Sequence, residues 1–308
     1  MATPGPTRDR IGALKREYDA LRRGKESLLA MIDEVEVPES VYNSNAIENS
    51  TLTLDETERI LLEQSLSREV SVREVFEARN LARVTEYKRA RAEESELDEE
   101  LILLMHRMLI GGIDDAIAGR FRGRGEYVRV GTHIAPAPEH VERMMENILI
   151  EYSSDLDSYF LDKIARFHLD FETIHPFCDG NGRIGRVIIN FQLLRLGLPR
   201  LIIRNSDKER YYRAFSDYRD RRTPRTMENI VALALLESLH KRVTYLRGES
   251  VVRLSDYIRK RGLSAPAATN AARRQTIPAF REKGVWKIGE GGGEGGVGVD
   301  LGVARDYK

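Results

Sequence analysis

The sequence is poor in the features that mark disulfide-linked, zinc-binding and membrane-spanning proteins. It has one cysteine, Cys178, in 308 residues, which excludes an internal disulfide and a cysteine-rich zinc site. Its six histidines are scattered and no H-E-x-x-H motif occurs, so we predict no zinc site. The longest apolar runs, such as 101–104 and 187–189, are far shorter than the roughly 18–20 residues of a membrane span. The first ten residues, MATPGPTRDR, have no signal-peptide core. We therefore expect a cytoplasmic protein in a reducing environment, with no membrane contact.

Net charge is also absent. The 49 Lys and Arg residues balance 49 Asp and Glu residues, which excludes a nucleic-acid-binding coat over the whole surface. Hydrophobic residues make up 41% and charged residues 32% of the chain, as is typical of a globular protein with a sizeable core. The length favours about two domains.

Apolar residues recur at helical spacing through most of the chain, so we predict a mainly α fold. The first predicted helix covers 8–32, and Pro38 is expected to end it. Thr53 and Glu56 fit a capping box that opens another helix. The glycine-rich stretch 111–138 is the exception, because 127–130 and 132–134 alternate like two short strands and predict a small β-hairpin.

Composition and spacing divide the chain into four predicted segments. The residues 1–38 form an N-terminal helical segment, 39–248 the main domain, 249–289 a winged helix-turn-helix-like module, and 290–308 a glycine-rich, disordered tail.

The third of these segments has a local excess of positive charge. Within 253–288 we predict two short helices around Gly262, a third starting at Thr276 and a strand at 285–288. This stretch carries nine Lys or Arg and two Asp or Glu. Two interpretations remain open: a DNA-binding module, or a protein-contact or dimerisation module.

The densest chemical signal is the segment 175–186, HPFCDGNGRIGR, which joins two helical patterns. Gly180 and Gly182 permit backbone dihedrals that other residues avoid, and their N–H groups can form an anion-binding nest. The following helix directs its positive end to the same place. Arg183 and Arg186 lie on one face of its first turn and suit a polyphosphate.

Two further residues of the segment complete a candidate transfer site. Asp179 puts a carboxylate beside the expected phosphates, which favours a bridging Mg²⁺. His175 can accept a proton near neutral pH. The same segment also fits the G-x-G-x-x-G pattern of dinucleotide folds, but that pattern requires a preceding strand, and 164–174 has helical spacing. No P-loop occurs. We assign Cys178 a structural role, because nothing near it in the sequence suggests a nucleophilic thiol.

The segment resembles the Fic family signature HPFx[D/E]GNGRxxR at every specified position, and the resemblance extends over roughly 40–245. It implies a Fic-type helical domain that transfers AMP from ATP to a Ser, Thr or Tyr hydroxyl of a target protein and releases pyrophosphate. By this resemblance His175 is the catalytic base and Asp179 holds Mg²⁺. The nucleotide and its phosphates are then bound by Gly180, Asn181, Gly182, Arg183, Gly185, Arg186, Tyr211 and Tyr212. The target docks on the flap residues Glu126, Tyr127, Val128, Arg129 and Val130.

The family also has an inhibitory motif, [S/T]xxxE[G/N], and 44–49 matches it with Ser44, Glu48 and Asn49. Its position before the Fic core resembles the class with an N-terminal inhibitory helix. A carboxylate that reaches Arg186 would occupy the guanidinium that the γ-phosphate needs. We therefore expect self-inhibition by Glu48.

Several functions remain in competition. The same site could remove AMP from a protein or use another phosphate donor, and the chain could modify itself. A DNA-binding regulator built on 253–288, with the Fic domain as a ligand sensor, is an alternative of another class. Inhibition coupled to a homodimer is a further expectation.

Overall fold

The computed structural model describes residues 3–91 and 95–291, with the backbone alone for 88–91. Helices dominate these residues, which confirms the predicted mainly α class. The predicted glycine-rich tail after 291 lies outside the described residues. No described helix is both long and apolar enough to cross a bilayer.

The chain divides into two units. The first contains Thr3 and 35–231, and the second contains 4–34 together with the described residues from 232 onward. The predicted boundaries at 38/39 and 248/249 therefore differ from those of the structure. The N-terminal segment groups with the residues from 232 onward through polar contacts. Asp33 lies 2.5 Å from Arg242, Glu17 lies 2.6 Å from Arg247, and Arg10 Nη1 donates to Gln275 O at 2.6 Å.

The first unit is built from helices around one core. In chain order its elements are the end of α2 (Glu26–Ile47), α3 (Leu54–Leu61), α4 (Val72–Arg91), α5 (Glu99–Ile110), β1 (Arg129–Val130), β2 (His133–Ile134), α6 (Val141–Ser154), α7 (Phe160–Ile174), α8 (Asn181–Arg195), α9 (Lys208–Arg221) and the start of α10 (Arg225–Leu246). The core is apolar, and Met105, Phe171 and Phe191 are fully buried in it. The α7–α8 pair at its centre therefore gives the connecting loop a rigid base.

The prediction that Pro38 ends a helix is wrong, because α2 continues through Pro38 to Ile47. Proline removes one helical hydrogen bond, but tertiary contacts hold the turns that follow. Val41 and Ile47 are buried, and Glu39 pairs with Arg204 at 2.5 Å. The continuation puts the inhibitory motif on the last turn of α2 and the residues just after it. At α3 the predicted capping box is present, with Thr53 and Glu56 bonded reciprocally.

The second unit contains α1 (Gly5–Leu21), the remaining parts of α2 and α10, β3 (Ser250–Arg253), α11 (Leu254–Arg261), α12 (Ala265–Arg273), β4 (Ala279–Glu282) and β5 (Val285–Glu290). The three strands are antiparallel in the order β3-β5-β4. The predicted helix-turn-helix and the strand at 285–288 are confirmed. The predicted third helix at Thr276 is wrong, because Gln275 adopts a left-handed conformation (φ 53°) and β4 follows within four residues to pair with β5.

Candidate active site

The loop between α7 and α8 contains the predicted catalytic residues. His175 ends α7 in the left-handed region (φ 51°, ψ 63°), with its N–H donated to Phe171 O at 2.8 Å. Gly180, also left-handed (φ 80°), precedes the first turn of α8. The chain thus reverses between the two helices and brings the loop's N–H groups beside the N-terminus of α8, where an anion is favoured.

The loop borders a cavity of about 780 Å³ in the first unit. The predicted site residues on its lining are Glu48, Asn49, Val128, Arg129, Val130, His175, Asp179, Gly180, Asn181, Gly182, Arg183 and Tyr212. The structure thus brings together the flap, the loop and the inhibitory motif, which are far apart in sequence.

Three predicted nucleotide-site residues lie behind this lining. Arg186 and Tyr211 are buried, and the Arg186 Nη1 donates to the Tyr211 hydroxyl at 3.2 Å. A Cβ added at Gly185 would lie 2.6 Å from the His168 ring, so Gly185 permits close packing of α8 on α7. Asn181 lines the cavity, but its side-chain amide bonds both the N–H and the carbonyl of Phe177, at 2.9 and 2.8 Å. That side chain holds the loop in shape.

Asp179 has two cationic neighbours. Arg73, on α4, pairs with its Oδ2, and Arg183 Nη2 lies 3.2 Å from its Oδ1. Burial raises the pKa of Asp179, but Arg183, the Gly180 N–H and Arg73 together hold the pKa below its usual value. The side chain is therefore an ionised oxygen donor at neutral pH. A single carboxylate fits Mg²⁺ that takes its other ligands from water and substrate phosphates.

Arg183 is almost completely buried and is positioned from two sides. Its Nη1 lies 3.1 Å from Glu77 on α4, and its Nη2 contacts Asp179. The guanidinium thus ties the first turn of α8 to α4 and borders the cavity. Arg73 and Glu77 were not identified from the sequence, because α4 shows no motif that distinguishes them from surface charges.

Arg186 is held by the inhibitory motif. Its Nε donates to Ser44 Oγ at 2.9 Å, and its Nη2 donates to Ser44 O at 2.8 Å and to Glu48 Oε1 at 2.9 Å. A Cβ added at Gly182 would overlap the Glu48 carboxylate. The carboxylate therefore lies against the first turn of α8, beside the loop N–H groups that suit an anion.

The residues around Glu48 are anchored as well. Asn49 is left-handed (φ 70°) and its Oδ1 accepts from Lys208 Nζ at 2.7 Å. The Tyr212 hydroxyl donates to Ile47 O at 2.9 Å. These bonds fix the end of α2 over the cavity.

The flap is a two-residue ladder, with Arg129 opposite Ile134 and Val130 opposite His133. Tyr127 is 64% exposed. Glu126 instead forms a bidentate pair with Arg120, at 2.7 Å for each bond. Arg120 and the Gly123 N–H lower the pKa of Glu126 to about 2. Glu126 thus stabilises the turn before the flap.

A buried arginine, Arg122, connects the flap to the catalytic loop. Its Nε donates to His175 O at 2.8 Å, and its Nη2 donates to Pro136 O at 2.5 Å and to Ile174 O at 3.1 Å. Burial lowers the pKa of Arg122. The sequence gives no sign of this role, because one arginine in a glycine-rich stretch resembles a surface residue.

His106, on α5, contacts two residues of the loop, Phe177 and Asp179. Its ring stacks on Phe177 with 3.7 Å between centroids, and its Nε2 lies 3.0 Å from Asp179 O. Gly119 N–H donates to Nδ1 at 3.0 Å, so Nε2 carries the proton and donates to Asp179 O. Burial lowers the pKa of His106 to about 4, which keeps the ring neutral.

Burial also raises the pKa of the Cys178 thiol to about 11, so the thiol is not a nucleophile near neutral pH.

Comparisons with known proteins agree with this geometry. Residues 96–193 match the model of the Fic/DOC family. The chain is 35% identical over 179 residues to the protein adenylyltransferase Fic of Nematostella vectensis, which covers 56% of this chain and 41% of that relative. The chain therefore spans well under half the length of this curated relative.

Two solved structures share the fold. A Fic-domain-containing signaling protein from Bacteroides thetaiotaomicron has a TM-score of 0.69 at 27% identity, over 78% of this chain and 98% of that one. A Fic family protein from Desulfovibrio desulfuricans has a TM-score of 0.63 at 24% identity, over 96% of this chain and 98% of that one. With the complete motif from His175 to Arg186 and its assembled cavity, these matches show that the chain belongs to the Fic/DOC family.

Proposed function

We propose that this chain is a protein adenylyltransferase that acts in the cytoplasm and is held inactive by Glu48. The observation that carries the proposal is that His175, Arg183 and Glu48 line one cavity, and that Glu48 pairs with Arg186 directly behind it. This arrangement supports assigning His175 as the base, Arg183 and Arg186 as phosphate ligands, and Glu48 as the competing carboxylate.

The transfer follows from these positions. The α- and β-phosphates of ATP lie on the N–H groups at the start of α8 and on Arg183, and the γ-phosphate pairs with Arg186. The target hydroxyl attacks the α-phosphorus, and the bond from that phosphorus to the bridging oxygen of pyrophosphate breaks. The hydroxyl proton passes to His175, and pyrophosphate leaves. Asp179 would hold Mg²⁺, which neutralises charge on the phosphates when bound.

The flap provides the docking edge for the target. Among the described residues its sheet has two strands, so an extended target segment can add to an outer edge. Backbone bonding of this kind selects an extended conformation rather than a particular side chain.

Tyr212 lines the cavity, and its ring is suited to stack on the adenine ring of ATP.

Inhibition arises because Arg186 has one set of partners at a time. When Glu48 and Ser44 are bonded to the Arg186 guanidinium, the γ-phosphate cannot pair with it. The Glu48 carboxylate also repels the phosphate. ATP then binds with its phosphates displaced from the in-line geometry.

Intact-mass spectrometry of the full chain with the substitution Glu48→Gly tests the proposal. Incubation with ATP and Mg²⁺ should add AMP to the chain itself or to an added protein mixture. Glu69→Gly, at an exposed loop position, is the matched control and should behave as wild type. Loss of AMP from a premodified protein would favour the reverse reaction, an adduct of another mass would favour another donor, and no change in mass would contradict transfer.

A second candidate function, contact with nucleic acid, concerns 253–288. After β3 this module has the order α11, α12, β4, β5, that of a helix-turn-helix followed by a β-hairpin wing. Arg259, Lys260, Arg273 and Arg274 are exposed on it, which suits phosphate contacts.

Duplex DNA labelled with a fluorophore and titrated with the full chain tests this candidate. Affinity should fall steeply between 50 and 200 mM salt. Arg274→Glu should weaken binding and reduce the salt slope by about 0.9, because one phosphate fewer is neutralised. Arg143→Glu, an exposed residue of the first unit, is the control. A protein-contact or dimerisation module is the interpretation left if no salt-dependent binding occurs.

A further inference from the structure

A buried carboxylate lies behind the catalytic histidine, and the mechanism above does not use it. Glu172 is one turn before His175, and its Oε2 lies 3.6 Å from His175 Nδ1. The two side chains are only 10% and 14% exposed. Within the described residues, the His175 Nδ1 and the Glu172 Oε1 have no hydrogen-bond partner. The buried Nδ1 of His175 therefore faces the buried Glu172 carboxylate and has no other hydrogen-bond partner among the described residues.

The backbone restricts where the His175 ring can go. Its N–H is bonded to Phe171 O and its carbonyl accepts from Arg122, both at 2.8 Å, in a left-handed conformation that few residues adopt. With the backbone held at both ends, Nδ1 is directed to Glu172. This leaves Nε2 as the ring nitrogen for a hydroxyl in the cavity that His175 lines.

Space for the carboxylate comes from α8. A Cβ added at Gly185 would lie 2.8 Å from Glu172 Oε1 and 2.7 Å from His168 Nδ1. Any larger residue at this position would push the carboxylate out of place. The family resemblance groups Gly185 with the phosphate-binding residues. The structure gives a further reason for a glycine at this position, because its lack of a side chain leaves space for Glu172.

Charged and titratable groups surround Glu172 on several sides. They are His168 on α7, His175 directly after α7, Arg186 on α8, and Tyr211 and Tyr212 on α9. Burial raises the pKa of Glu172, but His175, His168 and Arg186 together lower it below the usual value. The carboxylate is therefore ionised at neutral pH and is a fixed negative charge next to the base.

We propose that Glu172 is the positioning residue of His175: its carboxylate accepts the Nδ1–H, so that the neutral ring keeps its lone pair on Nε2. The proposal deepens the proposed function and rests on His175 being its base. When Nε2 takes the proton of the target hydroxyl, both ring nitrogens carry hydrogen and the imidazolium is stabilised by Glu172, which stays ionised. A carboxylate that fixes the tautomer of a catalytic histidine works in this way in hydrolytic triads. The 3.6 Å separation fits a bond that shortens when substrate is present.

The test uses the full chain with Glu48→Gly, to which Glu172→Gln or Glu172→Leu is added. Glu172→Gln removes the charge at nearly constant shape, and Glu172→Leu also removes the acceptor. Asp170→Asn is the matched control, since Asp170 is a carboxyl on the same helix that bonds Tyr218. His175→Ala assigns the His175 resonances among those of the six histidines.

Nitrogen-15 NMR reads the histidine tautomer without any need for activity. We expect His175 to carry its proton on Nδ1 in the parent chain and to move it to Nε2 in most molecules of Glu172→Leu. In Glu172→Gln the amide oxygen can still accept the Nδ1–H, so the tautomer should be kept while the transfer rate falls, because the charge that stabilises the imidazolium is removed.

Transfer should fall by about 10²- to 10⁴-fold in Glu172→Leu, the range of general base catalysis, while the Kd for ATP stays within about twofold. A merely structural role would lower the rate without moving the tautomer in Glu172→Leu, and that result overturns the proposal. If the tautomer moves but Glu48→Gly never transfers AMP, the proposed function fails and the positioning role stands.

Discussion

Glu48 and Arg186 lie 138 positions apart in the chain, yet Glu48 Oε1 is 2.9 Å from Arg186 Nη2. Glu48 lines the cavity beside the N-terminus of α8, where phosphate would bind, and covers Arg186 behind it. The arginine is 6% exposed and the glutamate 36%, so the bond joins a fixed cation to a carboxylate on the solvent side. A pair of this kind can be opened by moving the end of α2, with little disturbance of α8.

Ser44 contributes to the same closure. Ser44→Ala removes the bond from Arg186 Nε to Ser44 Oγ and leaves Glu48 in place. Because a hydrogen bond to a charged group contributes about 1.5–3 kcal/mol, we expect the initial rate of AMP addition to rise, but by less than in Glu48→Gly. Ser67→Ala, at an exposed loop position, is the control, and an unchanged rate in Ser44→Ala would show that the Ser44 hydroxyl does not contribute to inhibition.

His175 should be needed for transfer and not for nucleotide binding. In Glu48→Gly, the further change His175→Ala removes the base while Arg183 and Arg186 remain. We expect the transfer rate to fall by about 10²- to 10⁴-fold and the Kd for ATP, measured by calorimetry, to change by no more than about twofold. His140→Ala, an exposed position, should leave both unchanged. Retained transfer in His175→Ala would assign the base to another residue.

Asp179 should set the Mg²⁺ requirement. Asp179→Asn keeps the side-chain shape but removes the charge that Mg²⁺ would neutralise. We expect the Mg²⁺ concentration for half-maximal transfer to rise by about tenfold, and ATP-dependent binding of Mn²⁺, followed by electron paramagnetic resonance, to weaken in parallel. Asp157→Asn, at an exposed loop position, provides the comparison. An unchanged requirement would mean that the ion is held by substrate alone.

Arg122 should connect stability to activity. Arg122→Lys keeps the charge but cannot reach the carbonyls of His175, Ile174 and Pro136 together. Each buried carbonyl left without a donor costs about 1–3 kcal/mol, so we expect the free energy of unfolding to fall by about 3 kcal/mol. Transfer measured well below the melting temperature should fall too, because the flap and His175 lose their common support. Arg124→Lys, which is exposed, should change neither, and a stable Arg122→Lys chain with full activity would disprove the connection.

The second unit should lose stability as the pH falls from about 6.5 to about 4. Burial lowers the pKa of His240 to about 4, and its Nδ1 donates to Gln275 Oε1 at 2.8 Å. Between these pH values the unfolded chain binds a proton that the folded chain does not. The free energy of unfolding should therefore decrease on acidification, by no more than about 3 kcal/mol from this group.

Fluorescence of Trp286 measures this change, since it is the only tryptophan and lies on β5 of the second unit. Urea unfolding of wild type and His240→Gln at pH 7 and pH 4.5 should show a smaller pH difference in the variant. Equal pH differences in the two proteins would place the sensitivity in other groups.

The sequence was sufficient for the features that depend on local patterns. Apolar spacing predicted the helices before and after 175–186, and the capping box at Thr53 was predicted correctly because its bonds join residues three apart. The β-hairpin and the helix-turn-helix were predicted from glycine placement and short apolar runs. The prediction failed at Pro38 and Thr276, where distant contacts outweighed the local preference.

The roles within the site depended on long-range packing. No local pattern distinguishes Arg122, His106 or Arg73 from other charged or aromatic residues, since each obtains its partners from segments far away in the chain. The same applies to Tyr211, which the family resemblance grouped with Tyr212 as a nucleotide-binding residue but which is buried behind the cavity.

The sequence alone determined that the chain has a Fic motif with a histidine, an aspartate and two arginines in order, because that information lies in twelve consecutive residues. Only the tertiary structure decided which of these groups meet the cavity and which partners they have. Helix α2 had to continue past Pro38 to carry Glu48 to Arg186, and α8 had to pack closely at Gly185 to leave Glu172 beside His175. Contacts of this kind depend on how helices pack across the core, and no spacing within one segment encodes them.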